Sequence, residues 1–397
     1  MKVEIIRLND QGIGIGLINN KVIFVPGTVT NDVVEVEIIK DNKKYSEGKV
    51  INYIKYSDKR VEFECIYKDK CGGCQICNIN YNEQLKYKKN KIEYILKKFC
   101  NMDKDIDIIK CDNIYNYRNK VTLHVKNNRL GYYKEKTNNL IEIDNCLLLD
   151  DRINNTIKIL KKIDLTNVNE IVIRVNDNKV LVNLKGSITS LNIDELNNID
   201  IIYINDKLIK GDNLYQTIGN YKFKISHDAF FQVNINQMKK LYDIVRNYIG
   251  GYKDLNILDL FCGTGTIGIY VSDLCKNIKG IEINENAIKD ANINKEINHI
   301  KNIEFICDNV FNVKNINSDL IIVDPPRSGL NKDIINLIIK SRIKNIIYVS
   351  CNPITFARDI NLLKDNYNIL DIKAVDMFPN TYHIECVSLL KIKKERK

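Results

Sequence analysis

Asn256-Ile257-Leu258-Asp259-Leu260-Phe261-Cys262-Gly263-Thr264-Gly265-Thr266-Ile267-Gly268 decides how the C-terminal part of this 397-residue chain folds. The first residues read as a buried strand ending in an acid, and the glycine-rich turn then opens a helix. Alone, such a turn is shared by many nucleotide folds. The same grammar recurs downstream. Ile278 to Glu282 is a second strand, Ile303 to Cys307 a third before Asp308, and Leu320 to Val323 a fourth before Asp324-Pro325-Pro326. A fifth, Ile346 to Val349, opens into Ser350-Cys351-Asn352-Pro353. Regular strand-helix alternation predicts a Rossmann-like parallel sheet whose ligands gather at the carboxyl ends of its strands. Ile369 to Val375 and Ile384 to Leu390 are expected to close it as a hairpin.

The acids sharpen the cofactor class. Glu282 follows the second strand, where ribose hydroxyls bind in such sheets, and Asp308 after the third is placed for an adenine amine. No P-loop Lys-Ser or Lys-Thr accompanies the glycines, so an adenosine without a polyphosphate fits best: S-adenosylmethionine, with NAD as the weaker alternative. Cys351 sits where a strand opens into a loop fixed by Pro353. It reads as a nucleophile or as a buried structural thiol, the commoner fate of a free cysteine.

Working back towards the N-terminus, the chain divides into residues 226–397, an α+β stretch at 59–225 and a small β unit at 1–58. In the first unit Val22 to Val25 ends at Pro26-Gly27, Val33 to Ile39 follows, and Glu47 to Ile51 closes it. Gly12, Gly14 and Gly16 mark strand coiling or close backbone approach. Short coiled strands of this number suit an OB-like barrel, a frequent nucleic-acid platform. In the middle stretch, Val121 to Val125 with Leu130 to Tyr133, and Ile171 to Val175 with Val180 to Leu184, read as two hairpins.

Cys65, Cys71-Gly72-Gly73-Cys74 and Cys77 form C-x5-C-x2-C-x2-C, the pattern of a cluster or metal site, with iron–sulfur and zinc as rivals. Twelve cysteines in a chain without a signal-peptide layout do not read as disulfides. A cytoplasmic protein is the expectation, because no stretch reaches the apolar length of a membrane span. Asn80 and Glu83 read as a capping box opening a helix over residues 80–100. Its lysines Lys86, Lys88, Lys89, Lys91, Lys97 and Lys98 read as a solvated face, with an RNA-facing surface as the alternative. The formal charge of +10 and the basic end Lys391 to Lys397 suit a polyanionic partner. The pervasive Ile, Asn and Lys bias would also raise the charge without one.

Asp259-Leu260-Phe261-Cys262-Gly263-Thr264-Gly265, Asp324-Pro325-Pro326-Arg327-Ser328-Gly329, Ser350-Cys351-Asn352-Pro353 and His383-Ile384-Glu385 resemble the motifs of the class I RNA uracil-C5 methyltransferases. Phe230-Phe231-Gln232-Val233-Asn234, Ala357-Arg358-Asp359 and Asp376-Met377-Phe378-Pro379 fit the same family, so the resemblance spans the chain. It implies a multidomain α/β protein: a TRAM domain at 1–58, a central domain carrying an iron–sulfur site at 59–225, and a class I methyltransferase domain at 226–397. The helix at 80–100 is a candidate to pack on the last of these. The resemblance makes Cys351 the nucleophile that adds to C6 of uracil and Glu385 the base that removes the C5 proton. Gln232, Phe261, Glu282, Asp308 and Asp324 would hold S-adenosylmethionine. Cys65, Cys71, Cys74 and Cys146 would bind a [4Fe–4S] cluster, with Cys77 competing for the fourth position. Arg118 and Lys120 resemble a family motif near the RNA. The partner implied is RNA, ribosomal (23S type) before transfer RNA, with no membrane and no obligate protein partner.

Three rivals fit less well. A radical methylthiotransferase needs a C-x3-C-x2-C triad, and the first gap here has five residues. A non-catalytic RNA binder has no use for Cys351 and Glu385 beside a cofactor pocket. An RNA cytosine-C5 methyltransferase carries its thiols in Pro-Cys and Thr-Cys contexts, unlike Ser350-Cys351-Asn352-Pro353.

Overall fold

Apolar residues alternate with polar ones along the first strands, so one face must be buried. In the computed structural model, which describes residues 1–134, 137–188, 193–250 and 254–394, six strands between Lys2 and Lys55 form one curled sheet. Val3, Ile5, Ile23, Val25, Val34 and Val36 fill its interior. The glycines act by close approach: a side chain on Gly16 would lie 2.3 Å from Val3 Cγ1, and one on Gly14 1.9 Å from Thr28 Oγ1.

A seven-stranded sheet occupies the middle of the chain, and both expected hairpins are present in it, Lys120–Lys126 with Arg129–Tyr133 and Val168–Asn176 with Lys179–Gly186. The helix Asp151–Leu160 covers one face, burying Ile153, Ile157 and Leu160 against Leu123, Ile171 and Ile173.

The third sheet has eight strands: β1 (Asp107–Ile109), β2 (Asn256–Leu260), β3 (Asn277–Glu282), β4 (Ile303–Cys307), β5 (Leu320–Val323), β6 (Asn345–Ser350), β7 (Tyr367–Val375) and β8 (Glu385–Ile392). Their spatial order is β4-β3-β2-β5-β6-β8-β7-β1. All pairs are parallel except those made by β8, which lies antiparallel to both β6 and β7. β5 is a continuous Leu-Ile-Ile-Val run, buried at every residue because both of its faces are covered, whereas β3 and β4 at the sheet edge alternate buried with exposed residues.

The helices that matter here are α1 (Tyr81–Cys100), α2 (Ile235–Ile249), α3 (Thr266–Val271) and α4 (Pro353–Leu363). Ile92, Ile95, Leu96 and Cys100 of α1 share a core with Phe356, Ala357 and Ile360 of α4. Fully burying such aliphatic side chains is worth about 1.5–3 kcal/mol each. On the other face, the hairpin Leu214–Ile218 with Tyr221–Ile225 packs Phe223 and Ile225 against Met238, Leu241 and Ile267. The packing unit of this sheet therefore draws on chain well before residue 226.

Two local expectations are corrected. Asn80 does cap α1, accepting from Glu83 N at 3.0 Å, but the box is half made. The Glu83 carboxylate pairs with Lys59 and Lys86, and the Asn80 N–H donates to Lys59 O instead. The lysines of α1 are also not all on a solvated face. Lys88 is fully buried, with its Nζ 2.5 Å from Asp376 Oδ1, and Lys91 is half-buried with Nζ on the carbonyls of Asp10 and Tyr382.

Candidate active site

Backbone geometry at the end of β2 sets the cofactor-side wall. Phe261 has φ +64°, a left-handed conformation that a bulky residue adopts only under constraint from its surroundings. Its N–H donates to Ile281 O at 2.9 Å, which pins the turn against β3. Gly265 follows with φ +75°, where a Cβ would lie 2.4 Å from the Phe305 ring. Glu282, at the end of β3, accepts from Gly263 N (3.2 Å) and Asn284 N (2.9 Å), so its carboxylate is held at the wall. Beneath the turn, burial and then the neighbouring Asp324 push Asp259 up to about 8.

β6 and β8 bring the reacting candidates together. Their ladder pairs Ser350 with Cys386. Cys351, one residue beyond Ser350, and Glu385, one residue before Cys386, therefore stand at the same end of two antiparallel strands. Both side chains line one cavity of about 950 Å³, together with Asp324, Phe261, Glu282 and Gln232. Burial raises Cys351 to about 11, and the carboxylates of Glu385 and Asp324 add to the shift while Arg327 opposes it. Burial, then Asp324, raise Glu385 to about 8. Burial alone raises Asp324 to about 6. His383, also on the cavity, is pushed down to about 4 by burial and by the cations Arg327 and Lys91, and so is neutral near pH 7.

The loops carrying these groups are tied to one another. Asn352 caps α4 on Ile354 N at 3.1 Å, with Pro353 at the first helical position. Its Nδ2 donates to Arg327 O at 3.0 Å, and Thr355 Oγ1 donates to the same carbonyl at 3.1 Å. Asp359, fully buried, accepts from Tyr348 OH (2.7 Å) and Leu330 N (2.8 Å), while Arg358 Nη2 donates to Ser328 O and Leu330 O. The Ala357-Arg358-Asp359 motif thus clamps the loop after Asp324 to the helix after Cys351.

One expected site residue lies elsewhere. Asp308 does not line the cavity; it is exposed, and its Oδ1 accepts from Asn309 N and Asn312 Nδ2. Asn309, Val310 and Phe311 form the wall there instead. Asp308 thus stands on the loop that carries these wall residues, held by bonds within its own turn. Met238, Tyr242 and Asn284 also line the cavity and carried no motif signal, and Phe378 of the Asp376-Met377-Phe378-Pro379 motif lines it too. Phe230 stands at the same cavity 78% exposed, whereas Phe231 is buried.

Cys65, Cys71, Cys74 and Cys146 line a second cavity of about 410 Å³. Cys77 does not: it is buried, with its thiol directed at Cys74 O at 3.3 Å. Burial pushes the thiols of Cys71, Cys74 and Cys146 up, and the other cysteines add to it. Among the described residues, no three His, Cys, Asp or Glu side chains converge as a site for a single metal ion. Gly73 and Arg118 line both cavities and so form the partition between them. Arg118 Nε donates to Lys120 O at 3.1 Å. No helix among the described residues is long and apolar enough to cross a membrane.

Residues 197–393 match the tRNA (Uracil-5-)-methyltransferase family, and residues 1–51 match the TRAM domain. A protein of Clostridium tetani described as an RNA methyltransferase is 32% identical over 440 residues, covering 98% of this chain and 96% of the relative. One of Fusobacterium nucleatum with the same description is 34% identical over 445 residues, covering 99% and 96%. The fold is similar to that of the tRNA (uracil-54, C5)-methyltransferase of Pyrococcus abyssi, solved in complex with S-adenosyl-L-homocysteine. The TM-score is 0.84 at 29% identity, with 98% of this chain and 99% of that one covered.

Proposed function

The chain belongs to the RNA uracil-5-methyltransferase family, and from that premise we propose that it methylates C5 of one uridine in a structured RNA through Cys351 and Glu385. The observation that carries the proposal is the convergence of a strand-end thiol and a buried carboxylate on one cavity whose far wall has the adenosine-binding pattern. Phe261, Glu282, Gln232 and Asp324 would hold S-adenosylmethionine, which when bound supplies an electrophilic methyl group. The cavity volume suits the cofactor plus one base.

Uracil C5 is a poor nucleophile. Once Cys351 has given up its proton to solvent and its sulfur bonds to C6, the C5=C6 pair moves onto the ring as an enolate and C5 becomes reactive towards the methyl group. With the methyl in place, the Glu385 carboxylate takes the remaining C5 proton. That electron pair re-forms C5=C6, and the sulfur leaves as thiolate. Asp324 and Arg327 line the same cavity and set the local charge. The target base must leave its stack to reach a thiol at this depth.

Cys65, Cys71, Cys74 and Cys146 would hold a [4Fe–4S] cluster, whose role here is structural. Four thiols around one cavity, with Cys77 turned away, support that ligand set.

Ribosomal RNA is the target expected from the barrel and cysteine motif together. Transfer RNA is favoured by the full-length likeness to a tRNA enzyme. Mapping 5-methyluridine in ribosomal and transfer RNA, from cells with and without the gene, separates the two. An unchanged map in both would overturn the proposal.

A further inference from the structure

The segment that delivers Glu385, residues 376–384, is held by α1 along its length. Lys88 pairs with Asp376 and donates to Phe378 O at 3.0 Å. Gln84 and Asn380 exchange two hydrogen bonds, Gln84 Nε2 to Asn380 Oδ1 and Asn380 N to Gln84 Oε1. Lys91 Nζ donates to Tyr382 O at 3.1 Å and lies 5.0 Å from the centre of the Tyr382 ring. Tyr382 in turn packs on His383, ring centres 4.2 Å apart, and His383 lines the cavity beside Glu385.

The same Lys91 Nζ donates to Asp10 O in the barrel at 2.7 Å. That bend is firmly seated. Tyr87 OH donates to Asn9 O at 2.7 Å, and Gly12 abuts Ile76, whose own N–H donates to Asn380 O. Two backbone carbonyls cannot bond to each other, so the barrel bend and the Tyr382 carbonyl meet only through a donor placed between them. A charged one makes the stronger bonds.

We propose that Lys91 is a positioning residue that ties the Glu385-bearing segment to the N-terminal barrel, so that release of methylated RNA depends on how the barrel is seated. The proposal rests on Glu385 being the base. Lys91 does not line the reaction cavity. It acts through Tyr382 and His383.

The test uses the full chain with Lys91→Met, which keeps the aliphatic stem and removes the donors, and Lys91→Arg, which restores a cation. With RNA and S-adenosylmethionine at steady state, Lys91→Met is expected to raise the covalent protein–RNA adduct about tenfold, the weight of one charge-assisted hydrogen bond. Affinity for S-adenosylmethionine stays unchanged, and Lys91→Arg recovers most of the release rate. Amide hydrogen exchange is expected to rise in residues 380–384 and 9–13 of Lys91→Met. Unchanged exchange in both segments overturns the tie whatever the role of Glu385, as does an adduct level equal to wild type with turnover merely reduced. Failure of the base assignment shows differently, as a Glu385→Gln protein that traps no adduct while the exchange result stands.

Discussion

Cys351 and the thiols of Cys65, Cys71, Cys74 and Cys146 all lie against cavities, yet their surroundings have opposite character. Cys351 is single, faces two carboxylates, and has Arg327 as the one opposing charge. Cys71, Cys74 and Cys146 instead have other cysteines as their charged neighbours. Burial raises Cys351 and likewise Cys71, Cys74 and Cys146, but what would ionise them differs. A thiol among carboxylates can give up its proton as it adds to carbon and take it back when it leaves. Four thiols facing each other ionise together only around a strongly electropositive centre. On the proposed function, the difference separates a group that reacts from groups that hold.

The comparison breaks most sharply at Cys351. Cys351→Ala is expected to reduce methyl transfer to background while calorimetry shows S-adenosylmethionine still binding; near-normal turnover would falsify the mechanism. Glu385→Gln should slow release by about 10²–10⁴-fold, the usual range for a general base, and leave a protein–RNA adduct on a denaturing gel.

The cysteine side is next. Cys146→Ser is expected to abolish the visible absorbance of protein prepared without oxygen, and Cys77→Ser to preserve it. The reverse result would move the fourth ligand to Cys77.

A smaller effect concerns pH. Release needs the Glu385 carboxylate, so its rate should climb about tenfold per pH unit and level off near 8. Stability runs the other way. The folded pKa lies above the ordinary carboxylate value, so the folded state binds the proton more tightly than the unfolded one, and stability falls as pH rises from about 4.5 to about 8. Asp259 and Asp324 act in the same direction. At pH 8, Glu385→Gln is therefore expected to raise the melting temperature by about 2–4 °C. A lower melting temperature would mean that the carboxylate is stabilised by a partner. The smallest effect is at the clamp: Asp359→Asn should cost about 1–3 kcal/mol in urea unfolding, the penalty of a weakened buried network.

Much of this was legible in the residues. Strand-end acids and the glycine turn marked the sheet and its cofactor edge, because a parallel sheet buried on both faces must be written in apolar runs. A strand-end position marked Cys351 and the family resemblance marked Glu385, but neither showed that they share a cavity; that follows from the Ser350–Cys386 pairing, a register between strands over 30 residues apart. Lys88 was misread as solvated although Gln84, Lys88, Ile92 and Ile95 form one inward stripe at helical spacing. Its charge hid its position. Asp308 illustrates the limit of the strand-end rule: a loop can present any of several neighbours, and here Asn309, Val310 and Phe311 line the cavity while Asp308 is exposed. β1, three residues long, carries too little pattern to announce that it extends a distant sheet.

The antiparallel strand β8 has a consequence in time. Residues 385–392 lie between β6 and β7, both of which leave the ribosome earlier. Until that stretch emerges, the nascent sheet has an open slot with two unpaired edges, the kind of exposed template that invites wrong partners. The thiol of Cys351 waits at the rim of that slot, and the strand that fills it also brings the carboxylate. If Glu385 is the base, as proposed, completing the sheet and arming the chemistry are one event.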